Sequence, residues 1–261
     1  IILEIAKKHS LFVIEDCAHS AGSQFNGKNT GSFGFASFFS FEAIKPINTY
    51  GGGMIITNDN KLNLRIRQEL NDYKTSNFSV LKKALIANIE SLLMPTILSY
   101  PFLYLLSSPE WEKKVTAFYR LIQGHPNPKL AYCEVQAYLG LEKLKTLDKR
   151  ISYRDKKAKL FNSLVNKNIR PQKIEVEAFP NYYFFVVKLP YNVVKTKSLL
   201  LRNGIDSGIQ DEITDDCGKL LRIKCPNSSY VYKHTIHLPI HDGISDEKIK
   251  LMAELLNKIY N

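Results

Sequence analysis

The chain has 261 residues, of which 44% are hydrophobic and 23% are charged, and its formal net charge is +11. This length and balance are ordinary for a globular protein with one large domain or two modest ones. The basic residues are scattered, without an arginine-rich run or a nucleic-acid-binding motif. We therefore expect no nucleic-acid partner and interpret the charge as a solvated lysine-rich surface.

The four cysteines include no CxxC pair, and no Cys/His cluster has zinc spacing, so we expect reduced thiols, a cytoplasmic location and no metal site. The sequence begins at Ile1, inside a helical pattern, "IILEIAKKHS". No initiator methionine or signal peptide precedes it, so we expect the chain to be incomplete at its N-terminus.

Three strands and one helix are predicted in the first part of the chain. The runs "LFVIED" (11–16), "FASFFSF" (35–41) and "GMIITND" (53–59) are candidate strands, the first of them typical of a parallel sheet buried on both faces. The spacing of apolar residues predicts a helix over 61–73, with an N-cap at Asp59-Asn60. Strands mixed with helices indicate an α/β sheet.

The segment 78–128 is strongly apolar, but Glu90, Pro95 and Pro101 interrupt it. A membrane-spanning helix needs about 20 uninterrupted apolar residues, so we reject a transmembrane segment. We predict a helical insertion packed on the core or on a subunit partner. The alternative is a peripheral helix at 84–106 that lies in a membrane interface, with flanking lysines facing anionic headgroups.

The rest of the chain has the pattern of a smaller α+β domain that follows a long connecting helix. The predicted elements are a long amphipathic helix at 133–167, a strand at 182–189, a helix at 193–205 and a terminal helix at 245–261. We therefore divide the chain into 1–77, part of a large sheet domain; 78–128, the insertion; and 129–261, the connecting helix with the small domain.

Two residues that follow predicted strands are candidates for chemistry. Asp16 ends the first strand, and ligands of open α/β sheets gather at the carboxyl ends of strands; capping of a following helix is an equally simple explanation. Lys45 follows the second strand, where partial desolvation would lower its pKa and make its amine nucleophilic. A lone loop lysine is ordinarily a surface residue. Here, however, Ser40 offers a hydroxyl and the glycines at 51–53 allow the backbone to approach a ligand closely.

These groups suit pyridoxal phosphate (PLP). That cofactor requires a lysine that condenses with its aldehyde and an acid opposite its pyridine nitrogen. It also needs hydroxyl and backbone donors for its phosphate. The acid keeps the nitrogen protonated, so that the ring can accept electrons from a carbanion.

The block "VIEDCAHSAGSQFNGKNTGSFGFASFFSFEAIKPINTYGGGMIITND" resembles the core of the DegT/DnrJ/EryC1/StrS aminotransferases, which make amino sugars on nucleotide carriers. The shared pattern is E-D-x-A-[QH], G-S-F-G, S-F-x-x-x-K and a glycine turn that leads to T-N-D. The resemblance implies fold type I, with Lys45 as the cofactor lysine and Asp16 as the partner of the pyridine nitrogen. It also implies that His19 lies near the ring hydroxyl and that Ser40 touches the phosphate.

Several positions depart from the family pattern. The segment 129–132 replaces N-Y-R-M, which removes an asparagine that reaches the neighbouring subunit's phosphate. Tyr183 replaces a histidine before the "FFVV" strand, and Tyr50 replaces the first glycine of the turn. The family's N-terminal half, with its phosphate-binding glycine-threonine turn and an aromatic residue that stacks on the cofactor, does not precede Ile1. A chain that starts at Ile1 is expected to bind the cofactor poorly.

The resemblance implies that glutamate gives its amino group, through PLP, to a nucleotide-linked keto sugar for surface polysaccharide synthesis, in a homodimer. Sugar dehydratases of the family carry histidine in place of the lysine, so Lys45 argues against that activity. A dinucleotide-dependent oxidoreductase is disfavoured because no GxGxxG follows a strand. The main alternative is a truncated or degenerate member without catalytic activity that binds a membrane surface or a partner.

Overall fold

The computed structural model describes residues 1–42, 44–93 and 130–261, with a few isolated positions between 94 and 129. Within these residues the chain forms two compact units. Unit 1 comprises residues up to 92, 130–151 and 174–183, and unit 2 comprises 152–173 and 184–261.

The described strands are short and are numbered in chain order. They are β1 (Ile14–Asp16), β2 (Gln24–Phe25), β3 (Lys28–Asn29), β4 (Ala36–Ser40), β5 (Gly53–Thr57), β6 (Arg170–Pro171), β7 (Ala178–Phe179), β8 (Phe185–Lys188), β9 (Gly208–Ile209) and β10 (Thr235–Leu238). The described helices are α1 (Ile2–Lys8), α2 (Asn60–Leu70), α3 (Asn77–Leu93), α4 (Glu134–Lys145), α5 (Leu147–Leu164), α6 (Val193–Arg202), α7 (Cys217–Leu221), α8 (Pro226–His234) and α9 (Asp246–Tyr260).

Unit 1 contains a three-stranded sheet in the order β1-β4-β5. Strands β1 and β4 are parallel, whereas β4 and β5 are antiparallel. The strands β4 and β5 and the helix α2 lie where the sequence predicted them, whereas β1 covers only the second half of the predicted run 11–16. The Asp59 carboxylate caps α2 by accepting a hydrogen bond from the Leu62 N–H at 2.7 Å.

Burial of β1 on both faces was a wrong expectation, and the strand β5 is exposed as well. The Ile14 side chain in β1 is 64% exposed, and Ile55 in β5 is 53% exposed. Both strands are edges of the three-stranded sheet, and an edge strand packs against fewer neighbours than a central one. The central strand β4 does begin with two buried residues, Ala36 and Ser37.

The core of unit 1 lies between the segments that follow β1 and β4 and the helix α5. It includes the buried cluster of Ala21, Phe41, Ile47, Leu147 and Ile151. A second small sheet, in the order β3-β2-β7, joins the hairpin after β1 to the segment 174–183. The unit thus brings parts of the chain that are distant in sequence against the loops at the end of β1.

The long helix predicted over 133–167 is two helices. The helix α4 ends at Lys145 with Thr146 as its C-cap, and α5 begins at Leu147, whose side chain is buried in the core. The Arg150 guanidinium stabilises this break, because it donates to the Lys143 carbonyl at 3.0 Å and to the Pro46 carbonyl at 2.7 Å. A freed helix-end carbonyl is thereby satisfied, and α5 is fixed to the loop that follows Lys45.

Unit 2 is an α+β unit whose sheet has the order β6-β8-β10-β9 with antiparallel pairs throughout. Its core includes Phe161 from α5 and Phe185 from β8, whose rings meet edge to face at 5.4 Å. The predicted strand at 182–189 is shorter in the structure, since β8 covers only Phe185–Lys188. The residues before β8 belong to unit 1.

The predicted insertion at 78–128 is only partly described. The helix α3 covers its first part, and residues 94–100 and most of those up to 129 lie outside the described residues, as does most of the proposed membrane-interface helix at 84–106. None of the helices in the described part of the chain has the length and apolar character required to cross a membrane.

Candidate active site

Two candidate residues end parallel neighbouring strands. Asp16 is the last residue of β1 and lies opposite Phe38 of β4, and Ser40 is the last residue of β4. Because the carboxyl ends of parallel strands meet at one edge of a sheet, Asp16 and Ser40 lie at the same edge, and the loop with Lys45 starts there.

The two adjacent acids at the end of β1 have different environments. The Glu15 carboxylate accepts hydrogen bonds from the backbone N–H groups of Gly31 at 2.8 Å, Phe33 at 2.7 Å and Gly34 at 2.7 Å. It therefore fixes the G-S-F-G loop. Successive strand residues point to opposite faces, so Asp16 is directed away from that loop. Its Oδ1 atom accepts from the Ala18 N–H at 3.0 Å, and a turn follows rather than the helix considered from the sequence.

Lys45, His19 and Asp16 form one cluster, and Tyr183 completes it. The Lys45 Nζ atom lies 4.8 Å from the centroid of the Tyr183 ring. The His19 ring lies 4.4 Å, centroid to centroid, from the same tyrosine, with an interplanar angle of 37°. The charges of Lys45 and Asp16 both act on the pKa of His19, and the Asp16 carboxylate acts on the pKa of Lys45, so the three side chains lie within electrostatic reach of one another.

The electrostatics of this cluster favour a reactive amine. Partial burial lowers the pKa of Lys45, and the carboxylates of Asp16 and Glu42 oppose this shift. Partial burial also lowers the pKa of His19, as does the positive charge of Lys45, whereas Asp16 raises it. At neutral pH the imidazole is therefore held neutral beside a lysine that loses its proton more easily than an ordinary one.

Ser40 is the one predicted site residue that no contact joins to this cluster. Its side chain is half-buried, and among the described residues its hydroxyl has no hydrogen-bond partner. It lies on the same sheet edge, at the strand end that precedes Lys45. An amine, a carboxylate, an imidazole and an unpaired hydroxyl at one edge are a donor set that fits PLP, and the residues present are compatible with that cofactor.

A buried hydrogen-bond network fixes the loop from Lys45 to the glycine turn. The Gln136 side-chain amide donates to the carbonyls of Thr49 at 3.2 Å and Gly51 at 3.0 Å. The Tyr132 hydroxyl donates to the Thr49 hydroxyl at 3.0 Å, which in turn donates to the Gly51 carbonyl at 2.9 Å. Helix α4 and the residues just before it therefore hold the turn, and with it the loop that carries the lysine.

The glycine turn has little room for side chains. A Cβ atom on Gly53 would lie 2.4 Å from the Phe39 carbonyl oxygen. This contact is too short to exist unless the backbone moves. Tyr50 takes the place of a glycine in the family pattern, and it adopts the left-handed conformation that glycine favours, with φ of 60°. Tyr50 thus has a left-handed backbone conformation of the kind that a glycine adopts readily.

Sequence reasoning identified the charged members of the cluster and missed the residues that hold them. Gln136 and Tyr132 read as ordinary helix and loop residues, and no local pattern links them to the glycine turn. The sequence marks Tyr183 only as a departure from the family pattern. Asn181 has no local sequence signal, because its burial and its hydrogen bonds follow from the fold.

The whole fold matches solved aminotransferase structures. A DegT DnrJ EryC1 StrS aminotransferase from Brucella abortus superimposes with a TM-score of 0.71 at 19% sequence identity, over 100% of this chain and 60% of that one. The fold is therefore fold type I, the α/β fold of PLP-dependent transferases, as predicted. The model of the DegT/DnrJ/EryC1/StrS aminotransferase family matches residues 1–89 and 127–257, and the chain belongs to that family.

Sequence relatives carry nucleotide-sugar names. The UDP-4-amino-4,6-dideoxy-N-acetyl-beta-L-altrosamine transaminase of Campylobacter jejuni is 24% identical over 268 residues, 99% of this chain and 61% of the relative. The GDP-perosamine synthase of Escherichia coli O157:H7 is 54% identical over 61 residues, 23% of this chain and 17% of the relative. This chain thus spans about three fifths of the length of the Campylobacter relative.

Proposed function

We propose that this protein is a PLP-dependent aminotransferase that transfers an amino group from glutamate to a keto sugar carried on a nucleotide. The single observation that carries the proposal is the cluster of Lys45, Asp16 and His19 at the carboxyl edge of a fold type I sheet. The intact lysine and the family match favour this function over the non-catalytic alternative.

Each residue of the cluster has a task that its environment supports. Bound PLP supplies an electron sink that stabilises negative charge at the substrate carbon. Lys45 would hold the cofactor through its amine, and the lowered pKa of that amine suits the transfer of a proton to and from the substrate carbon. Asp16 would hold a positive charge at the pyridine nitrogen. The neutral His19 would face the ring hydroxyl, and Ser40 would donate to the phosphate.

The substrate class follows from the family and from the names of the relatives. Those names specify UDP- and GDP-linked amino sugars, so we propose a nucleoside-diphosphate keto sugar that serves polysaccharide biosynthesis. The net charge of +11 suits a diphosphate substrate, because cationic side chains bind phosphate through charge-assisted hydrogen bonds.

Assembly and location complete the proposal. We propose a cytoplasmic homodimer whose large domain includes 1–77 and whose small domain lies in 129–261, with 78–128 as an insertion at a subunit partner. Exposed apolar side chains on α3, among them Phe78 at 80% and Leu85 at 62%, support a contact at the start of this insertion. The alternative is that the segment 84–106 contacts a membrane surface instead of a subunit partner.

The test is cofactor binding followed by amino transfer in the full-length protein. Addition of PLP is expected to give a visible absorption band that L-glutamate discharges with formation of 2-oxoglutarate, and Lys45→Ala is expected to abolish both. Lys61→Ala is the matched control, since Lys61 is an exposed lysine of α2. UDP-, GDP- and dTDP-linked keto sugars are then offered in turn as acceptors.

Two results would overturn the proposal. One is a full-length protein that binds no PLP under conditions in which its fold is intact, which would favour the non-catalytic alternative. The other is a Lys45→Ala variant with the same band and the same rate of 2-oxoglutarate formation as the parent.

A further inference from the structure

A single aromatic ring contacts two of the three clustered site residues. Tyr183 lies with its ring face 4.8 Å from the Lys45 amine and 4.4 Å from the His19 ring. The sequence separates this tyrosine from both residues by most of the chain, so the contact is a product of the fold. Its hydroxyl is not needed for either contact, because both are made by the ring.

The backbone that carries the ring is held in place by Asn181, two residues before Tyr183. Asn181 is 4% exposed, and its side-chain amide donates to the carbonyls of His19 at 2.9 Å and Ala21 at 3.0 Å. Its Oδ1 atom accepts from the Tyr183 N–H at 2.9 Å, and its own N–H donates to the Ser23 hydroxyl at 3.0 Å. These bonds tie the segment 181–183 to the loop after β1.

Backbone conformation adds to this constraint. Tyr182, between the two, is buried and has a φ of 48°, a conformation that non-glycine residues adopt at a cost. A strained residue persists only where surrounding contacts determine its conformation, and the Asn181 hydrogen bonds supply those contacts. The backbone that carries the Tyr183 ring is therefore fixed beside the loop after β1, and the ring contacts both Lys45 and His19.

We propose that Tyr183 is a positioning residue for Lys45: its ring forms one wall of the lysine pocket, shields the amine from water and confines it beside Asp16. The importance of a confined amine rests on the proposed function, in which Lys45 binds the cofactor. Tyr183 stands where the resembled family has a histidine.

The groups that face the amine set the expected pH effect. They are the carboxylates of Asp16 and Glu42, the His19 imidazole and the Tyr183 ring. The carboxylates and the ring face favour the ammonium form, whereas burial, the largest influence, disfavours it. Removal of the ring exposes the amine, so the pKa of Lys45 is expected to rise towards that of an ordinary lysine.

The test measures the amine itself, without the cofactor. Competitive labelling with acetic anhydride between pH 6.5 and 10.5, read for Lys45 by mass spectrometry, gives its titration midpoint in the full-length protein. Tyr183→Ala is expected to move the midpoint upward and to slow labelling at pH 8 several-fold. Tyr183→Phe, which keeps the ring, is expected to label like the parent.

Two further variants control the result. Tyr153→Ala removes an exposed tyrosine that has a lysine, Lys156, 5.8 Å from its ring centroid, and it is expected to leave Lys45 unchanged. If Tyr183→Ala does not fold, Asn181→Ser takes its place, because a serine side chain is too short to bridge to the loop after β1. It is expected to move the titration midpoint of Lys45 in the same direction. Circular dichroism of each variant verifies its fold.

The inference is overturned if a folded Tyr183→Ala or Asn181→Ser protein labels at Lys45 like the parent, or if Tyr183→Phe behaves like Tyr183→Ala. Its failure is separate from failure of the proposed function. A protein that binds no PLP but shows the expected labelling pattern retains the positioning role, and one that transfers amino groups with unaltered labelling in Tyr183→Ala loses it.

Discussion

His237 is expected to make the stability of unit 2 depend on pH. It lies on the strand β10, opposite Val186 of β8 and Gly208 of β9, and its ring packs edge-on against Phe184 with 4.7 Å between centroids. Burial lowers the pKa of His237 to about 4, although the Glu212 carboxylate opposes the shift. The folded protein therefore keeps this imidazole neutral at pH values where an exposed histidine is charged.

The sign and size follow from proton binding. The unfolded chain takes up a proton at His237 as pH falls through about 6.5, whereas the folded chain does so only near pH 4. The contribution of the neutral His237 to the free energy of unfolding is thus fully present above pH 6.5. It is lost as the pH falls from there to about 4. Linkage of these two pKa values gives a loss of roughly 2 to 3 kcal/mol at pH 4.5.

Urea denaturation of the parent and of His237→Gln, followed by circular dichroism between pH 7 and pH 4.5, measures this contribution. Carboxylates also titrate in this range, so the informative quantity is the difference between the two proteins at each pH. On acidification from pH 7 to pH 4.5, the free energy of unfolding of the parent is expected to fall by roughly 2 to 3 kcal/mol more than that of His237→Gln. His9→Gln, which removes an exposed histidine at the end of α1, is the control. Parallel losses of stability in the parent and His237→Gln would refute the reasoning.

Three further results are expected. Glu15→Ala removes an acceptor of three backbone N–H groups and should lower the free energy of unfolding, measured by urea denaturation, by about 2–4 kcal/mol. The control Glu4→Ala, at an exposed glutamate, should lower it by only a few tenths of a kcal/mol. Gln136→Glu places an acceptor against two carbonyls and should cost about 2–3 kcal/mol in the same assay; equal stability would contradict the network. In NMR titration of the cofactor-free protein, His19 should have a pKa below that of an ordinary histidine, and Lys45→Met should raise it because a positive charge is removed. A His19 titration that is unchanged in the variant would place the lysine outside the cluster.

Local sequence signals predicted the elements of unit 1 well. Strands β1, β4 and β5 follow from apolar runs, and the start of α2 follows from the Asp59 cap, because both signals act within a few residues. The break between α4 and α5 could not be predicted in this way. The amphipathic pattern continues through Thr146, and the contact that stabilises the break is made by Arg150 with a distant loop.

The candidate site divides along the same line. Asp16, His19 and Lys45 lie in one short stretch of sequence, and the dense family pattern in that stretch is what identified them. Tyr183 and Gln136 reach the same loops through tertiary packing, and nothing in their local sequence indicates this. Residues that carry charge were thus predictable, whereas residues that position them required the fold.

The division of labour between the adjacent acids shows how a short strand supports a site. The strand β1 has three residues, and its first, Ile14, is largely exposed, so apolar burial contributes little to its register. Glu15 compensates, since three N–H groups of the 31–34 loop bind its carboxylate on one face of the strand. Because neighbouring residues alternate between faces, each bond that fixes Glu15 also directs Asp16 to the opposite face. A shift of register by one residue would exchange the faces of the two carboxylates. Glu15, which the 31–34 loop requires, would then lie beside Lys45 in place of Asp16.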